Sequence, residues 1–113
     1  MTHRLLVVAR IKPGSQSDVA RLFARSDGTE LPAALGVVRR DLYEYHGLYF
    51  HHVEFAGDPR EAVSRARRRE DFQELSAELD AFVTPYEPRT WRSPLDAMAT
   101  GFYSWTPESG RQS

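Results

Sequence analysis

Apolar and polar residues alternate along the chain in blocks whose periods differ, and the periods predict the elements. Leu5 to Ala9 is an apolar run holding two β-branched residues between Arg4 and Arg10, the pattern of a buried strand. Pro13-Gly14 breaks it, and Ser15 with Asp18 three residues on suggests a capped helix start. Within that helix Val19, Leu22 and Phe23 fall on one stripe, and Asp27-Gly28 ends it. Thr29 to Gly36 reads as a loop around Pro32. Val37 to Tyr45 and Leu48 to Phe55 are strand-like runs parted only by His46-Gly47, a hairpin signal. Asp58 as N-cap and Pro59 in the first helical position open a helical stretch that runs, with one break, to about Phe82. Thr84 to Pro94 holds three prolines and reads as an extended loop, Ala99 to Trp105 as a last strand, and residues 107–113 as a frayed tail.

The order β-α-β-β-α-β is that of an α+β ferredoxin-like domain, an antiparallel sheet with helices on one face, occupying residues 1–106 without an internal linker. The opposite sheet face then needs a cover, and a second copy is the expected one: a homodimer forming a dimeric α+β barrel.

A two-residue turn at His46-Gly47 sets the register of the hairpin. Arg39 then faces Glu54, Asp41 faces His52 and Tyr43 faces Phe50 on one side, complementary pairs that satisfy themselves. The other side carries Val38, Leu42, Val53 and Phe55, with Arg40, Glu44, Tyr49 and His51 among them. Arg40 sits opposite Val53 and His51 opposite Leu42, so neither has an ionic partner across the ladder. A guanidinium among apolar residues is costly unless an anion or a polar cavity receives it. Glu44 or a loop carboxylate is one such anion; a substrate is the other. Histidine titrates near neutrality and moves protons, while arginine stabilises an enolate or alkoxide oxygen, so the pair suits carbonyl chemistry. Asp27 has two readings, a helix-end turn with Gly28 or a carboxylate that orients the histidine.

The 113 residues carry 15 basic and 16 acidic side chains, a balance that gives no field for nucleic acid or a membrane surface. The run Arg65 to Arg69 reads as a solvated helix face. The chain has no cysteine, which removes disulfides and thiolate sites and fits a reducing cytoplasm. No signal-peptide pattern and no membrane-length apolar run is present. His51 and His52 are adjacent on a strand and point to opposite faces, which argues against a shared metal ion. Trp91, in the proline-rich segment, is placed to cap a pocket, and Trp105 to serve as a core or dimer contact.

Several segments together resemble a known family. They are Asp27 with Thr29-Glu30-Leu31-Pro32, Gly36-Val37 leading to Arg39-Arg40, and Tyr45-His46-Gly47-Leu48-Tyr49 with His51. Phe72-Gln73, Thr84-Pro85-Tyr86 and Phe102-Tyr103-Ser104-Trp105 continue the match. In order and spacing the chain is similar to the small aromatic polyketide cyclases typified by tetracenomycin F2 cyclase, and more closely to those of spore-pigment clusters. The resemblance implies a homodimer, no cofactor, and aldol-type ring closure with dehydration of a partly cyclised poly-β-ketone. It implies Arg40, His51 and Asp27 as catalytic candidates, and Ser26, Tyr49, Phe55 and Trp91 complete the set as substrate contacts. Ser26 stands where the typifying member has a histidine, which puts a second imidazole in doubt. The remaining expectations are transient contact with type II polyketide synthase components and a cytoplasmic location. Two other readings stay open: a cofactor-independent monooxygenase acting on an anthrone, and a non-catalytic accessory module of the synthase.

Overall fold

The computed structural model describes residues 3–90 and 97–107. The first strand, β1 (His3–Ile11), is longer than its apolar centre. Helix α1 (Gln16–Asp27) follows, burying Val19 and Phe23 of the expected stripe. Ser15 is its N-cap but makes no side-chain capping bond, and Asp18 pairs with Arg21 at 2.7 Å rather than closing a capping box.

The segment expected to be a loop around Pro32 contains a short helix, α2 (Leu31–Leu35). Proline stands in its first turn, where a missing N–H costs nothing, and the Thr29 hydroxyl accepts the Leu31 N–H at 3.2 Å. Gly36 ends it at φ +76°, a left-handed conformation that glycine adopts without a steric penalty. Leu31 is thereby buried.

Strands β2 (Val37–Tyr45) and β3 (Leu48–Phe55) form the expected hairpin, with His46 at φ +50° and Gly47 at φ +83°. Two successive positive φ values make the turn whose twist matches the flanking strands. Tyr45 pairs with Leu48, Leu42 with His51, Arg40 with Val53 and Arg39 with Glu54. Beyond Arg39 the register shifts, because a bulge sets Val37 opposite Phe55. Val38, expected on the inner face beside Leu42, is therefore 55% exposed, and Val37 packs inward with Val53, Phe55 and Ala62. On the outer face Arg39 takes Asp41 of its own strand as partner at 2.7 Å, and Glu54 takes Arg4 of β1.

Asp58 caps α3 (Pro59–Ala66) through the Arg60 N–H, and α4 (Glu70–Leu79) follows after the expected break. The fourth strand is β4 (Val83–Pro85), three residues that pair antiparallel with Ala9–Ile11. Its last two residues, Thr84 and Pro85, lie in the segment read as loop; the expected last strand over Ala99–Trp105 is absent. Met98 forms an isolated bridge to Val7, and the Ala99 N–H reaches the Leu6 carbonyl at 2.7 Å. With β4 already on the same edge of β1, this segment departs from the sheet, leaving Phe102, Tyr103 and Trp105 exposed.

The sheet order is β2-β3-β1-β4, antiparallel throughout, with the helices packed on one face. This is the ferredoxin-like α+β fold. The face opposite the helices carries a row of Val8, Phe50 and Tyr43 across three strands, with Tyr43 59% exposed.

Candidate active site

The inner face of the sheet and the helices enclose a cavity of about 510 Å³. Leu5, Val7 and Ala9 of β1 and Tyr49, Val53 and Phe55 of β3 form its floor, while Leu31, Val63, Phe72 and Leu75 wall it from the helices. Arg40 and His51 border this space from neighbouring strands.

Their placement follows from period-two alternation. Arg40 and His51 both point inward because the tight turn holds the register, and they are diagonal neighbours. Arg40 Nη1 lies 2.9 Å from His51 Nε2. A guanidinium has no acceptor, so it must donate, and Nε2 must accept; the neutral imidazole then carries its hydrogen on Nδ1. The other edge of the same guanidinium engages Asp27, with Nε at 3.1 and 3.2 Å from the two carboxylate oxygens and Nη2 at 2.8 Å. This forked contact fixes the plane of Arg40. The loop carboxylate that pairs Arg40 is thus Asp27, at the end of α1; Glu44 instead accepts the Gly47 N–H of the turn at 2.8 Å. Asp27 touches Arg40, and any orienting influence on His51 passes through that guanidinium.

Phe23 of α1 packs against both groups. Its ring centroid is 4.8 Å from the Arg40 guanidinium carbon and 5.0 Å from the His51 ring. The i, i+3, i+4 pattern marked Phe23 as core; only the packing of α1 over the hairpin makes it a platform. Arg67, exposed at the end of α3, also borders the cavity and has no ion pair among the described residues. The sequence had grouped it with a solvated charge run.

The enclosure sets the protonation states. Burial, then the Arg40 charge, then His52, push His51 down to about 3, so the imidazole is neutral across the physiological range and gains a proton only when the Arg40 charge is turned to another partner. Burial also raises the Tyr49 phenol, against an opposing effect of Arg40, and the hydroxyl stays protonated. His52 lies on the outer face, its Nδ1 3.9 Å from Asp41. Among the described residues no group of three or more His, Cys, Asp or Glu side chains is arranged to hold a metal ion.

Of the expected substrate contacts, Tyr49 and Phe55 line the cavity and are 5% and 4% exposed. Ser26 does not line it; its carbonyl accepts the Thr29 hydroxyl at 2.6 Å behind the helix end. Trp91 lies outside the described residues. The arrangement supplies a neutral imidazole, a fixed cation and a largely apolar container.

A family model described as polyketide synthesis cyclase matches residues 3–106. The chain is 41% identical over 110 residues to tetracenomycin F2 cyclase of Streptomyces glaucescens, covering 96% of this chain and all of that one. It is 40% identical to polyketide synthase CurG of Streptomyces cyaneus, covering 91% and 96% of the two chains. The solved structure of tetracenomycin F2 cyclase superposes with a TM-score of 0.85 at 40% identity, covering 92% of this chain and 97% of that one. Among the described residues no helix is long and apolar enough to cross a membrane.

Proposed function

The chain belongs to the polyketide synthesis cyclase family, and from that premise we propose that it closes a ring in a partly cyclised poly-β-ketone by intramolecular aldol addition followed by loss of water. The observation that carries this reading is the Asp27–Arg40–His51 network at the wall of a largely apolar cavity.

As Arg40 Nη1 turns from His51 Nε2 toward the substrate oxygen, the freed Nε2 lone pair removes a proton from a carbon flanked by two carbonyls. Arg40 takes the enolate oxygen as that charge develops, and in doing so its own charge no longer opposes protonation of His51. The enolate carbon then attacks a ketone carbon elsewhere on the chain. The new C–C bond forms, the C=O electron pair moves onto oxygen, and that oxygen receives the proton held by His51. Elimination of the hydroxyl with an adjacent hydrogen releases water. No step changes the overall oxidation state, so the chemistry calls for no cofactor. Asp27 is a positioning residue that keeps Arg40 in plane. Tyr49 and Phe55 shape the container, which selects a folded conformer of the substrate; such preorganisation is worth roughly 7–11 kcal/mol in favourable cases.

The row of half-buried Val8 and Phe50 with exposed Tyr43 supports a homodimer that pairs these sheet faces into a barrel. The cysteine-free chain fits work in the cytoplasm beside the synthase that delivers the substrate.

The test is ring closure of a synthetic poly-β-ketone by the pure protein, run with and without oxygen. Cyclisation continues without oxygen; a monooxygenase stops. His51→Ala and Arg40→Ala each lower the rate by about 10²–10⁴ while the fold survives. Both variants cyclising at the unmodified rate overturns the assignment.

A further inference from the structure

The inner face of β3 carries one more polar atom than the network above uses. Tyr49 stands two residues before His51 and so shares its face, with the two ring centroids 6.2 Å apart. Ala9 of β1 and Glu44 of β2 flank it in the sheet, and its ring packs in the cluster that includes Phe23 and Leu75. Only 5% of the residue is exposed.

A phenol so enclosed ordinarily finds a hydrogen-bond partner in the protein, because an unmet donor costs its desolvation. Tyr49 has none, since none of the side-chain bonds of the described residues involves it. Yet no fully enclosed side-chain oxygen or nitrogen among those residues lacks a partner. The hydroxyl therefore meets open space, and the space Tyr49 borders is the cavity that holds Arg40 and His51. The site keeps a donor near its charged pair and offers it no acceptor of its own.

We propose that the Tyr49 hydroxyl donates a hydrogen bond to the carbonyl oxygen of the polyketide that is attacked during ring closure, making Tyr49 a catalytic residue alongside Arg40 and His51. The proposal rests on the cyclase reading of the cavity. The two donors divide the work: Arg40 receives the enolate oxygen of the nucleophile, and Tyr49 receives the oxygen of the electrophile. When the C–C bond forms and the C=O electron pair moves onto that oxygen, the hydrogen bond strengthens. The proton that completes the alcohol comes from His51. Tyr49 keeps its own, because burial makes the phenolate costly. A ketone pinned in this way is fixed relative to Arg40, so Tyr49 also selects which carbonyl of the chain reacts.

Tyr49→Phe removes the oxygen and leaves the packed ring. The expected result is a fall in kcat of about tenfold to a hundredfold, with KM within about threefold and the thermal midpoint unchanged. A binding arm needs no turnover. It compares 1-acetonaphthone with 1-ethylnaphthalene, which has the same shape but no carbonyl, by calorimetric titration of the whole chain. The unmodified protein prefers the ketone by about threefold to tenfold, and Tyr49→Phe loses that preference. Unmodified kcat together with an intact ketone preference in Tyr49→Phe overturns the proposal. A chain that turns over no poly-β-ketone but loses the preference in Tyr49→Phe overturns the cyclase reading, while Tyr49 stands as the carbonyl donor of the cavity.

Discussion

Replacing Arg40 by Leu removes the cation 2.9 Å from His51 Nε2 and leaves the rest of the cavity wall in place. His51 is held at about 3 instead of 6.5, with burial the larger cause and the Arg40 charge the next. A like charge at this range is worth about 1–3 pKa units. The expected change is a rise of about 1–2 units, leaving His51 still below an exposed histidine because burial persists. The linkage has a definite sign. Above 6.5 both folded and unfolded rings are neutral, and the contribution to stability is complete. Between 6.5 and about 3 the unfolded ring holds a proton that the folded one refuses. Stability is therefore lost as pH falls through that window, by up to about 1.4 kcal/mol per pH unit. In Arg40→Leu the window closes sooner from its acid end. The assay is a proton NMR titration of the Cε1 hydrogens, with four histidines to assign and His51→Gln identifying its own signal. Urea midpoints at several pH values run in parallel. A His51 that titrates near 6.5 in the unmodified chain refutes the reasoning, as does one that does not move when Arg40 is removed.

Two further outcomes follow from the sheet. Gly47→Ala adds no clash, since nothing lies within 4 Å of the new methyl, but it places a side chain at φ +83°. Stability should fall by about 1–2 kcal/mol, and a thermal midpoint equal to the unmodified protein would show that the turn is not strained. Phe50→Glu, in the row of Val8 and Tyr43, should convert the proposed dimer to a monomer in light scattering; an unchanged molar mass would place the interface elsewhere.

The hairpin was legible because its evidence is local. Two β-rich runs with a glycine between them admit few turns, and side-chain alternation then carries Arg40 and His51 to one face from that single choice. The separation of His52 from His51 came by the same rule. The bulge at Val38 was not legible, since an extra residue leaves the composition of a strand unchanged and only the partner strand reveals it. Nor was β4, three residues long and held by pairing with β1 rather than by any pattern of its own. The same holds for α2, which Pro32 disguises as a loop although proline suits a first helical turn.

At the site, the sequence determined which side chains share the inner face and that Arg40 needed an anion. Tertiary structure alone decided that Asp27, thirteen residues away, supplies it in preference to Glu44, and that Phe23 lies beneath both Arg40 and His51. It also decided that Tyr49 meets a cavity instead of a protein acceptor. The physical reason is range. Period and turn geometry act over a few residues of one chain segment, whereas a salt bridge, a ring contact and an empty volume depend on where α1 and α4 settle against the sheet.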